Sequence, residues 1–74
     1  MKFLDLISSE KIVVIRLDSF GRVIEGYSKT GKVKFWFDNE CRKWIITIDR
    51  KEIVKFEYPE SDYENFANRI SSLF

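Results

Sequence analysis

The chain has 74 residues, 13 basic and 12 acidic, with no histidine, one cysteine, 45% hydrophobic and 16% aromatic content; it carries enough apolar side chain for a packed core. Near-balanced charge does not identify a polyanion binder, and the missing histidine removes the commonest general base and metal ligand. At this size only ~60% of the unfolded surface is buried on folding, so one domain over residues 1–74 is expected, with a total stability of ~4–11 kcal/mol.

Phe3, Leu4, Leu6 and Ile7 form an apolar cluster ending at Ser8-Ser9, which suits either a helical turn on the core or an edge strand. The cluster is too short to span a membrane and lacks the cleavage site of a signal peptide, so neither a membrane segment nor export is expected. Val- and Ile-rich runs at residues 11–18, 22–28, 32–37, 43–49 and 53–58 predict five short strands. Asp18-Ser19-Phe20-Gly21 and Ser28-Lys29-Thr30-Gly31 share one design: a polar residue that bonds its own backbone, two further residues, then Gly at positive φ. With a polar loop over residues 38–42 and the charged turn Asp49-Arg50-Lys51-Glu52, consecutive strands are expected to run antiparallel.

After Pro59 the period changes. Tyr63, Phe66, Ala67, Ile70, Leu73 and Phe74 recur at three- and four-residue steps, predicting an amphipathic helix, with Ser61 and Glu64 as its capping box. The fold class is therefore α+β: an antiparallel meander of five strands with a C-terminal helix packed on one face.

Alternation predicts which side chains meet that helix: Val13, Ile15 and Leu17; Val33, Phe35 and Phe37; Trp44, Ile46 and Ile48; Val54, Phe56 and Tyr58. In the second strand Val23 and Ile24 are both apolar, so its register stays open, with Gly26 as a candidate bulge. The opposite face is expected to carry Val14, Arg16, Lys34, Trp36, Ile45, Thr47, Lys55 and Glu57, and Val14, Trp36 and Ile45 would form an apolar contact patch there. The alternative is that residues 3–7 fold across that face and cover it.

Catalytic signatures are weak. Cys41 lies between Glu40 and Arg42, where Arg42 and Lys43 would lower a thiol pKa, yet no histidine is present to pair with it; an ordinary free thiol is expected. A domain without disulfides suits a reducing compartment, which points to the cytoplasm. Residues 26–32 match most of a phosphate-binding loop, but Val33 stands where a Ser or Thr is needed, and a strand follows in place of a helix. The carboxylate pairs Asp49/Glu52 and Asp38/Glu40 sit in turns where nothing would split their pKa values. No enzyme activity, metal or cofactor is expected.

Two binding readings remain. Charge is uneven along the chain, with eight basic and four acidic residues over 22–51 against two basic and five acidic over 52–74. Lys29, Lys32, Lys34, Arg42 and Lys43 surround Trp36 in sequence, with Tyr27 nearby, a mixture of cations and stacking rings that suits single-stranded nucleic acid. Strands followed by a helix, with Pro59-Glu60 just before it, faintly resemble the single-stranded-DNA-binding transcriptional coactivator family. A helix closing a sheet is likewise faintly similar to pleckstrin-homology-like domains, and no diagnostic motif carries either likeness. The other reading, ranked first because net charge is near zero, is a non-catalytic protein-binding module, a regulator or inhibitor of a larger partner or a self-associating subunit. The binding residues expected are Arg16, Lys29, Lys32, Lys34, Trp36, Arg42, Lys43 and Ile45.

Overall fold

The computed structural model describes residues 2–74, so Met1, just ahead of the opening apolar cluster, lies outside the described residues. The elements are α1 (Lys2–Ser8), β1 (Ile12–Leu17), β2 (Val23–Ser28), β3 (Val33–Asp38), β4 (Lys43–Asp49), β5 (Ile53–Pro59) and α2 (Tyr63–Ser72). The five strands form one antiparallel sheet in the order β1-β2-β3-β4-β5, with α2 packed on it. This is the α+β meander that the strand periodicity predicts.

Turn chemistry sets the hairpins. Gly21 and Gly31 have φ of 82° and 76°, and their amides donate to the carbonyls of Asp18 and Ser28 at 3.0 and 2.8 Å. Between β3 and β4 the same left-handed step falls on Arg42, φ 56°, while Asp38 Oδ1 accepts from the amides of Glu40 and Cys41 at 2.9 and 3.3 Å.

The core sits between the sheet and both helices. β3, β4 and β5 turn inward the sets expected of them: Val33 pairs with Ile48, Phe35 with Ile46 and Phe37 with Trp44; Val54, Phe56 and Tyr58 follow in register. Phe35 and Ile46 at its centre are fully buried beneath Phe66 and Ile70 of α2. Trp44 joins three elements, with ring centroids 4.7 Å from Phe37, 5.0 Å from Tyr63 and 4.8 Å from Phe66. Its indole N–H donates to the Glu60 carbonyl at 2.9 Å.

The N-terminal cluster is a helix, and it joins α2 on this inner face. Phe3 and Leu6, three residues apart on α1, are buried, and the Phe3 ring lies 5.8 Å from Phe35 and 6.3 Å from Tyr63. A Schellman motif ends α1: Lys11 N–H donates to Leu6 O at 2.9 Å and Glu10 N–H to Ile7 O at 3.0 Å, with Glu10 left-handed at φ 58°.

β1 corrects its expected face. Ile12 and Val14, opposite Ser28 and Gly26, point toward the helices, whereas Ile15 and Leu17 are 54% and 56% exposed. The cause is Gly26, which lies inward between Val14 and Phe35. Its lack of a side chain lets the Phe35 ring approach; a Cβ there would sit 2.6 Å from Phe35 Cζ and 2.6 Å from Val13 O. Gly26 itself is paired on both sides. The irregularities lie instead at Ile15 and Ile24, which the ladder skips, and this brings Arg16 and Glu25 together on the outer face.

The helix cap is also corrected. Pro59 O accepts from Asp62 N–H at 2.9 Å, and this turn takes up Ser61, so helical geometry starts at Tyr63 and Asp62 becomes the N-cap. Asp62 Oδ1 accepts from Asn65 N–H at 3.4 Å and Asp62 Oδ2 from the Asn65 amide at 2.9 Å, a capping pair one position later than Ser61 and Glu64. Phe74, expected on the buried stripe, falls beyond the end of α2 and is exposed.

Candidate nucleic-acid or protein interface on the outer sheet face

Because α1 and α2 both lie on the inner face, among the described residues no helix covers the other side of the sheet. Register arranges its side chains in two rows that cross the strands. One row runs Arg16, Glu25, Trp36, Ile45, Glu57; the next runs Val13, Tyr27, Lys34, Thr47, Lys55. Strands ~4.8 Å apart make each row about 19 Å long. Val14, expected in this patch, belongs to the inner face, and Val13 takes its place.

Trp36 occupies the middle strand, half-buried, with Glu25 on one side and Ile45 on the other. Ile45 is 2% exposed, so it floors the face and supports Trp36 instead of offering contact area of its own. Arg16 and Glu25 form an ion pair at 2.6 Å, and Lys55 and Glu57 lie 3.7 Å apart along β5. Both pairs are well exposed and contribute little to stability. They leave the face mixed in charge around Trp36.

The cations that are close to Trp36 in sequence separate in space. Lys29 and Lys32 lie at the β2–β3 turn, and Arg42 and Lys43 at the β3–β4 turn, the opposite end of β3, whose six residues at about 3.3 Å each put roughly 20 Å between the two groups. Only Lys34 shares the outer face close to Trp36. Arg42 is diverted: its guanidinium donates to both carboxylate oxygens of Glu60, at 3.2 and 2.7 Å, and sits 5.1 Å from the Phe37 ring centroid. Exposed Cys41 therefore does not have this guanidinium committed to it. Lys43 pairs in register with Asp38, beside Pro59.

Near the Lys32 end a depression of about 180 Å³ opens between Lys32, Lys34, Thr47 and Asp49. A carboxylate in its wall makes it a poor seat for phosphate. No three His, Cys, Asp or Glu side chains converge as a metal site among the described residues. No helix among the described residues is long and apolar enough to cross a membrane.

A separate polar cluster ties the first hairpin to α2. Arg22 Nε donates to Asp18 Oδ2 at 2.7 Å, its guanidinium lies 4.8 Å from the Tyr63 ring centroid, and the Tyr63 hydroxyl donates to Val23 O at 2.9 Å. The Arg22 hydrogen bond holds the Asp18 carboxyl below the usual carboxylate range, while burial pushes the Tyr63 hydroxyl up, partly offset by the nearby Arg22 charge. These groups staple the fold and do not face the outer surface.

Sequence alone leaves Val13, Glu25 and Tyr27 out of the face. The signal was in the second Gly turn, whose closure at Ser28 and Val33 dictates Tyr27 opposite Lys34 and Glu25 opposite Trp36. The chain matches no protein-family model, no curated protein and no solved structure.

Proposed function

We propose that the chain is a small non-catalytic protein-binding module, a regulator or inhibitor of a larger partner, which docks through the outer sheet face around Trp36. The observation that carries this reading is the placement of both helices on one side, which leaves a sheet face that no helix among the described residues covers, with a half-buried indole on its middle strand. A central aromatic ringed by polar groups is the usual composition of a binding hot spot. The alternative, a single-stranded nucleic-acid surface, draws support from Tyr27, Lys34 and Lys55 in one row. It is disfavoured by Glu25 and Glu57 in the adjoining row and by the dispersal of Lys29, Lys32, Arg42 and Lys43.

Photo-crosslinking from position 34 in the native cell tests the reading, with Trp36→Ala as the control. A specific adduct that is lost in a folded Trp36→Ala variant is expected, since an interfacial Trp carries ~2 kcal/mol or more of binding. A salt-dependent fluorescence titration with a single-stranded oligonucleotide separates the alternatives. Tight binding that persists at physiological salt would replace the protein-binding reading with the nucleic-acid one.

A further inference from the structure

A sheet of five strands has two open edges, and they differ. β1 is interrupted twice, at Ile15 and Ile24 in its pairing with β2, and bulges of this kind twist an edge away from further pairing. β5 pairs with β4 over seven successive residues without a shift, and its outward backbone groups present a regular template. We propose that β5 is a self-association edge, where a second copy of this chain adds its own β5 antiparallel, centred on Phe56, to make one continuous ten-stranded sheet.

The argument is self-complementarity. A two-fold axis through Phe56 sets Lys55 opposite the partner's Glu57 and Glu57 opposite the partner's Lys55, giving two cross-strand ion pairs on the outer face. On the inner face the same register sets Val54 opposite the partner's Tyr58, with the two Phe56 rings facing each other. Every side chain stays on its own face, because Lys55 and Glu57 are outward and Val54, Phe56 and Tyr58 inward in the single chain. At the ends Ile53, 73% exposed in the single chain, meets the partner's Pro59, which has no N–H to leave unpaired.

The inner side of the edge has room for this. Arg69 lies over Phe56, 4.6 Å from its ring centroid, and donates to the Tyr58 hydroxyl at 3.1 Å. Beside it runs a groove of about 320 Å³ lined by Tyr58, Asn65, Asn68, Arg69 and Ser72. The partner's Val54, opposite Tyr58 in this register, falls at its mouth. A seven-residue edge is a small interface, so the association belongs to the weak, concentration-dependent class. It does not depend on the outer-face reading, since Trp36 lies two strands away.

Sedimentation of the full chain, with charge swaps on β5, tests the proposal. The unmodified chain should approach twice its 8.9 kDa mass as concentration rises. Lys55→Glu and Glu57→Lys each set like charges opposite one another at both pairs and should weaken self-association roughly tenfold or more. The double swap, and an equimolar mixture of the two single variants, should restore it. A chain monomeric up to about 1 mM, or a dimer indifferent to both single swaps, would overturn the proposal. Amide exchange on the unmodified chain gives a readout that needs no variant: protection should rise with concentration over residues 53–59, and a rise confined to β1 would refute the assignment equally.

Discussion

Replacing Trp44 by Ala removes the side chain on which strand, loop and helix converge. The indole is almost fully buried, stacks on Phe66, meets Phe37 and Tyr63 at centroid distances of 4.7 and 5.0 Å, and holds the Glu60 carbonyl just before α2. Truncating a buried aromatic costs ~3–5 kcal/mol, to be set against a total of ~4–11 kcal/mol for a chain this size. At about 4–8 °C per kcal/mol, the melting midpoint should fall by roughly 12–40 °C. Trp44→Phe keeps most of the ring contact but loses the hydrogen bond, and should cost only ~1–2 kcal/mol. Trp36→Ala, on the open face, should stay within about 1 kcal/mol of the parent. Urea titrations followed by circular dichroism, compared at a common slope, would measure all three. If Trp36→Ala melts below Trp44→Ala, the division of the sheet into a core face and a binding face is wrong.

Gly26→Ala should destabilise by about 1–3 kcal/mol, because the new methyl meets the Val13 carbonyl as well as the Phe35 ring; an unchanged urea midpoint would contradict that packing. Asp62→Ala should cost ~1 kcal/mol by removing the α2 cap, and Ser61→Ala no more than ~0.5 kcal/mol; thermal melts in the reverse order would return the cap to Ser61. Tyr63 holds its proton above the ordinary value of 10.0, so its contribution is intact below that pH and is lost as pH rises through its folded pKa; Tyr63→Phe should flatten the alkaline fall in stability. Asp18 behaves oppositely: its pKa is lowered by the Arg22 hydrogen bond, so its contribution is present at neutral pH and lost as pH falls through the folded value. Asp18→Asn should remove that part of the acid dependence.

How legible each strand was depended on how its neighbours constrain it. β3, β4 and β5 each keep one alternating set inward, with Phe35, Ile46 and Phe56 in one inward row, and sequence periodicity places these sets on the correct face. β1 is apolar at four successive positions, Ile12 to Ile15, so alternation alone has no preference there. What decides it is the absence of a side chain at Gly26, which is visible only once Val14 and Phe35 are known to flank it. The cap differs for a local reason: Ser61 and Glu64 have the right spacing, but the Pro59–Asp62 turn holds Ser61 outside the helix, and Asp62 finds the same three-residue spacing to Asn65, whose backbone amide and side chain both donate to it. The cations assigned to Trp36 illustrate the opposite limit. Nearness in sequence across a hairpin turn means nearness in space only at that turn, and a strand of six residues carries its two ends apart.

The arrangement separates what holds the chain together from what is free to bind. Aromatic contacts from Phe3, Phe35, Trp44, Tyr63 and Phe66 concentrate packing energy on the inner face, and marginal stability at this size requires that concentration. The outer face contributes chiefly exposed ion pairs, so its residues change at little cost to the fold. Ile45 is the exception that makes the rest possible. Buried at the middle of the outer face without joining the inner core, it supplies an apolar floor against which Trp36 rests. In the paired-β5 arrangement the Trp36 row runs on through Glu57 to the partner's Lys55, Thr47 and Lys34. Five strand spacings, about 24 Å, then carry one Trp36 strand to the other. A partner able to touch both would gain from the linkage without any stronger contact at either site. Loss of pairing in Lys55→Glu would remove that gain while leaving each Trp36 site intact.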